Sequence, residues 1–110
     1  MGREKEGRIS ECEEIVMAAV WKLGVPQDLR TIVNYVNEEF GETWKPQTVS
    51  TFLSRLKKKG YLDAYDKGRY RYYFSAITKD EYVQKKIRVL TDLFFDGDME
   101  MMQKQIGEIL

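Results

Sequence analysis

Two incompatible periodicities meet at Gly60. Upstream, in "KPQTVSTFLSRLKKKG", Val49, Phe52, Leu53 and Leu56 recur at the spacing of one helical face. Downstream, "YLDAYDKGRYRYYF" alternates along a tyrosine-rich run with Asp66-Lys67-Gly68 between its halves, the pattern of a β-hairpin with Gly68 taking φ > 0 at its tip. A lone two-stranded hairpin is marginal in water, so this one has to lean on helices. Pro46 suits the first position of the upstream helix, where its missing N–H would have no intrahelical partner. The helix is expected over 46–59 with Lys45 as cap and Trp44 stapled onto Val49. In the second strand, Tyr70, Tyr72 and Phe74 share a face expected to cover the helices. Arg69, Arg71 and Tyr73 share the other, with Lys67 at the tip.

The residues before this stretch supply two more helices. Ser10 and Glu13 have capping-box spacing, Ile15, Val16, Ala19, Val20 and Leu23 form a stripe, and Gly24 and Pro26 end it. Asp28 caps a second helix with Leu29, Ile32, Val33, Val36 and Phe40 on its apolar side and Gly41 as its stop. After the hairpin, Thr78 and Glu81 again have capping-box spacing. A longer helix to about Phe95 carries Val83, Ile87, Leu90 and Phe94 at steps of four, three and four, a seam for another helix. "DGD" at 96–98 breaks it. A last segment with Met99, Met102, Ile106 and Ile109 on one side is too short to be stable without a partner.

The expected fold is mainly α with a small β-hairpin wing: a winged helix-turn-helix domain over 1–77, followed by C-terminal dimerisation helices over 78–110. Val83, Ile87, Leu90, Phe94, Met99, Met102, Ile106 and Ile109 are the dimer-interface candidates.

Composition narrows the chemistry. The 110 residues include no histidine and one cysteine, Cys12, which removes imidazole-dependent catalysis and leaves almost no means of holding a transition metal. No catalytic residue, metal site or cofactor is assigned. Cys12 reads as a small, partly buried side chain of the first helical turn. The N-terminal "MGREKEGRIS" is charged where a signal peptide needs an apolar segment, so the expectation is a soluble, cytoplasmic protein with no membrane insertion.

The formal net charge is zero, yet it is distributed unevenly. Residues 45–71 carry eight Lys/Arg against two Asp/Glu, a net +6, while the flanking parts stand at −4 and −2. No acid occurs from 45 to 62, although an ordinary solvated helix face mixes both signs. A local field of this kind attracts a polyanion. A helix fits the major groove and a hairpin beside it reaches the neighbouring backbone. Gln47, Ser50, Thr51 and Ser54 are therefore the candidates to touch base edges. Lys45, Arg55, Lys57, Lys58, Lys67, Arg69 and Arg71 are the candidates to neutralise phosphates. A protein-interaction module and a metal-responsive regulator are the competing readings, since fold alone does not choose among them.

"ISECEEIVMAAVWKLG", "WKPQTVSTFLSRLKKKGYL" and "DKGRYRYYFSAITKDEYVQKKIRVLTDLFF" resemble the penicillinase and methicillin-resistance repressor family of bacteria and its copper-responsive relatives, over about nine-tenths of the chain. The resemblance implies a homodimeric transcriptional repressor that binds double-stranded inverted-repeat operator DNA through its winged helices and controls a resistance or stress-response gene. In the copper-responsive branch the C-terminus carries a cysteine cluster, which is absent after Cys12. In the β-lactam branch a membrane sensor-protease acts upstream and the repressor is cut at an Asn-Phe bond, yet no asparagine follows Asn37. Operator sequence, target gene and inducing signal are not encoded in any of these features.

Overall fold

The computed structural model describes residues 7–110; the first six, which carry most of the N-terminal charge weighed against a signal peptide, lie outside the described residues. Eight elements follow in order: α1 (Glu11–Leu23), β1 (Gln27–Asp28), α2 (Leu29–Phe40), α3 (Pro46–Lys58), β2 (Leu62–Lys67), β3 (Tyr70–Ser75), α4 (Lys79–Phe95) and α5 (Met99–Ile109). The architecture is mostly helical with a small antiparallel sheet, as the periodicities predict. The chain forms two compact units, divided between Thr78 and Lys79.

Helix boundaries in the first unit follow the local signals. Ser10 and Glu13 complete a reciprocal capping box on α1, with Ser10 N–H donating to Glu13 Oε1 at 2.7 Å and Glu13 N–H to Ser10 Oγ at 3.1 Å. Asp28 Oδ1 accepts from Thr31 N at 3.0 Å to start α2. Lys45 sits at the cap of α3 without a side-chain hydrogen bond, and Pro46 follows as the first helical residue. Val16, Met17, Ala19 and Val20 of α1, Ile32, Val33 and Val36 of α2, and Val49, Leu53 and Leu56 of α3 are buried together with Leu62. Burying a side chain of this kind is worth about 1.5–3 kcal/mol, so this three-helix core is the unit's main source of stability. Trp44, expected to staple onto Val49, packs its ring on Phe52, with centroids 5.2 Å apart.

The sheet departs from the sequence reading in three ways. It has three strands, in the order β1-β3-β2, because Gln27 and Asp28 in the α1–α2 link pair with Tyr73 and Tyr72. The turn is the two-residue Gly68-Arg69, since β2 runs through Lys67 and pairs there with Tyr70. Gly68 at φ 65° occupies the first central position, as in a type II′ turn, and Arg69 therefore lies at the tip instead of on a strand face.

The third departure is the reversal of the wing's faces. Directly paired residues point to the same side of a sheet. Leu62 is buried and pairs with Ser75, so the side carrying Leu62, Ala64, Tyr73 and Ser75 is the one turned to the helices. Ser75 confirms the direction: its Oγ accepts from Trp21 Nε1 of α1 at 2.8 Å. Tyr72 and Phe74 lie on the outer side with Tyr65, whose ring is stacked on Tyr72 at 5.7 Å and tilted on Phe74 at 6.0 Å. Tyr70, expected to cover the helices with them, is 54% exposed. Aromatic residues stand on both faces of β3, so aromaticity could not decide the question; the burial of Leu62 on the neighbouring strand does.

In the second unit, Asp98 caps α5 by accepting from the N–H groups of Glu100 and Met101 at 2.9 and 3.2 Å. Asp96 and Gly97, both at positive φ, make the link from α4. Thr91, which no apolar pattern singles out, is fully buried; its hydroxyl donates to Ile87 O at 2.7 Å and meets Met99 Sδ at 3.7 Å.

Candidate nucleic-acid interface

The outward side of α3 is built by the helical repeat itself. With Val49, Leu53 and Leu56 fixed inward, Gln47, Ser54, Arg55 and Lys58 are exposed, and Ser50 and Thr51 are half-buried along the same strip. Thr51 Oγ1 donates to Gln47 O at 3.1 Å, which orients the hydroxyl oxygen with its remaining acceptor capacity outward. The strip is short-chained at its centre and cationic at its C-terminal end.

Both ends of α3 carry unusual charge placement. Lys45 opposes the macrodipole at a position where Ser, Thr, Asn or Asp is preferred, a cost of about 1 kcal/mol that a docked anion removes. At the other end the three lysines separate. Lys58 is exposed and makes no ion pair among the described residues. Lys57 lies 3.8 Å from Asp63, a loose pair between exposed groups. Lys59 turns away entirely, donating to Glu13 Oε1 at 3.1 Å and to Arg8 O at 2.8 Å.

That last pair is structural. Glu13 is almost completely buried at the start of α1. Burial works against its ionisation, but the hydrogen bonds from Ser10 and the Lys59 ammonium outweigh it and hold the carboxyl below its ordinary range. Tyr61 adds a second tie, its hydroxyl donating to Gly7 O at 2.9 Å. The residues just before α1 are thus fastened to the end of α3 and the start of β2.

On the wing, Lys67 and Arg69 are exposed at the tip. Arg71 is less available than sequence suggests. Its Nε donates to Asp66 Oδ1 at 2.9 Å, directly across the strand pair. That contact raises the guanidinium pKa and lowers the carboxyl's. Both groups are exposed, and exposed pairs contribute little, so a phosphate can compete for the arginine.

Two positioning residues escaped the sequence reading. Asn37 of α2 donates from Nδ2 to Trp44 O and accepts at Oδ1 from Trp44 N, each at 3.0 Å, fixing the loop that delivers Lys45 and Pro46. Arg30, exposed in the first turn of α2, faces the same cleft as Arg69 and Arg71. Neither has a local signature: one is an ordinary polar residue within a helix, the other a single arginine in an acidic third of the chain.

In the second unit, Val83, Ile87, Leu90 and Phe94 of α4 and Met99, Ile106 and Ile109 of α5 are all exposed by 39–77%. Met102 differs from the rest of the expected seam, being covered by the chain itself. Among the described residues no group of His, Cys, Asp or Glu is arranged to hold a metal ion, and no helix is long and apolar enough to cross a membrane.

Comparison with known proteins agrees with this geometry. The family model for the penicillinase repressor matches residues 9–107. The penicillinase repressor of Bacillus licheniformis is 33% identical over 101 residues, which span 90% of this chain and 75% of that protein. Among solved structures, the DNA-binding domain of the repressor BlaI is 32% identical with a TM-score of 0.61, covering 72% of this chain and 93% of that one. The Bacillus licheniformis BlaI monomeric form in complex with the blaP half-operator is 31% identical with a TM-score of 0.57, covering 70% and 90%. Winged-helix core, basic third helix and near full-length match together place this chain in the penicillinase repressor family.

Proposed function

We propose that the protein is a cytoplasmic, sequence-specific DNA-binding repressor. It acts as a homodimer on an inverted-repeat operator and controls a resistance gene. The observation that carries the reading is the acid-free, outward strip of α3, which begins at the uncapped Lys45 and ends at Arg55 and Lys58. Gln47, Ser50, Thr51 and Ser54 read base edges in the major groove. Lys45, Arg55, Lys57, Lys58, Lys67, Arg69 and Arg71 neutralise phosphates and set register. The relative solved with a half-operator supports this use of the same fold.

Residues 1–77 act as the DNA-binding part and 78–110 as the dimerisation part. An exposed row of Val83, Ile87, Leu90 and Phe94 on α4, continued by Met99, Ile106 and Ile109, is apolar surface of the kind that a second copy covers. Repression then follows from occupancy: two symmetric half-sites must be filled together, and the bound dimer denies the promoter to polymerase. No catalytic step is assigned.

Selection of binding sites from a random duplex pool, followed by a gel shift on the gene's own upstream region, tests the reading. Enrichment of a two-fold symmetric site is expected. Recovery of no common sequence would overturn it.

A further inference from the structure

A cleft of about 490 Å³ lies between the start of α2 and the underside of the wing. Tyr73 and Arg71 stand on the side of β3 turned to the helices, Arg69 and Tyr70 line the cleft from the tip of the wing, and Arg30 lines it from α2. Three arginines, Arg30, Arg69 and Arg71, line this one concavity together with Tyr70 and Tyr73. Two carboxylates are near, and both are engaged. Asp28 accepts from Thr31 N as the cap of α2, and Asp66 pairs with Arg71.

Arg30 is the informative member. It occupies the first turn of a helix that has no acid there, where a cation opposes the macrodipole. It gains no ion pair among the described residues beyond the influence of Asp28 close by. A residue that costs helix stability, stays exposed and faces two other arginines suits an external anion. Guanidinium forks match phosphate oxygens in pairs, and a tyrosine hydroxyl adds a donor.

We infer that this cleft seats a backbone phosphate of the bound duplex, gripped by Arg30 from α2 and by Arg69 and Arg71 from the wing. The inference rests on the DNA-binding function proposed above and adds Arg30 to it, as a contact that fixes the wing's position along the backbone without reading sequence. Docking exchanges the Asp66 partner of Arg71 for the phosphate.

The test is the salt dependence of binding by the full chain to its selected duplex, with wild type, Arg30→Gln and Lys58→Ala compared. Each phosphate contact adds about 0.9 to the log–log salt slope. Arg30→Gln should therefore lower the slope by up to about 0.9 per bound chain, weakening binding by up to roughly eightfold per half-site at about 0.1 M salt and hardly at all near 1 M. It should leave the ranking of base sequences unchanged and the thermal midpoint equal or slightly raised. A single uncharged methylphosphonate, scanned along each strand, should find one position per half-site that weakens wild type more than it weakens Arg30→Gln.

If Lys58→Ala lowers the slope and Arg30→Gln does not, the cleft assignment is wrong and the DNA-binding reading stands. If the wild-type chain selects no duplex and shows no salt slope, the functional reading itself fails. Inorganic phosphate titrated at constant ionic strength separates a free anion from the DNA backbone. Saturable binding that Arg30→Gln abolishes, with DNA slopes unchanged, would overturn the backbone assignment in favour of a small-anion site.

Discussion

Asn37 grips the backbone of Trp44 from both sides, its amide donating to the carbonyl and accepting from the N–H at 3.0 Å each. The last turn of α2 is thereby joined to the residue before the cap of α3, and Trp44 is held with its ring on Phe52. Asn37→Ala leaves both backbone groups of Trp44 without these partners. A loss of about 1–3 kcal/mol is expected, measured as a lower urea midpoint at unchanged m value.

Acid sensitivity should trace in part to Glu13. Its carboxyl pKa is lowered in the folded state, so its contribution is fully present above the unfolded value near 4.5 and is lost as pH falls through the folded value. Wild-type stability should drop below that point. Glu13→Gln should flatten this part of the profile, as read from urea midpoints across pH 3–7. An equal slope in both proteins would assign the acid sensitivity elsewhere.

Lys58 and Lys59 are neighbours in opposite surroundings, the first exposed and the second paired with the buried Glu13. Lys59→Met should destabilise by about 1.5–3 kcal/mol, the range for hydrogen bonds to charged groups, while leaving the salt slope of DNA binding intact. Lys58→Ala should do the reverse, weakening all duplexes alike. With only three phosphates engaged per chain, about six per dimer, the wild-type slope should lie near −5, and each further contact makes it steeper. Thr51→Ala, in contrast, should change preference at one or two base pairs.

Leu90→Glu sets a carboxylate in the exposed row of α4. The expected result is a monomer by sedimentation, with helical content retained and operator affinity lost, because each chain supplies one half-site. Unchanged sedimentation would remove α4 from the interface.

The sequence showed most clearly what is decided within one or two helical turns. Ser10 with Glu13, Asp28, Gly41 and Pro46 mark helix limits by capping chemistry, and the strip from Gln47 to Lys58 follows once Val49 and Leu53 are known to face inward. Features set across the chain were hidden. Lys59 finds Glu13 from 46 positions away, which no helical spacing announces. A two-residue β1 has no propensity signal of its own and exists because β3 offers it an edge. The wing's inner face depends on Leu62 across the strand pair, so a strand rich in tyrosine on both sides could not reveal it, and the cleft beneath stayed unseen with Arg30.

The short β1 also has a mechanical consequence. At Tyr72 and Tyr73 the middle strand is bonded on both flanks, whereas from Arg71 outward it is held by β2 alone. The hairpin is thus a cantilever, clamped at its root and compliant at its tip. Amide exchange should quicken from Tyr73 toward Lys67, and the outer half can bend to follow an uneven backbone while the helical core keeps its shape.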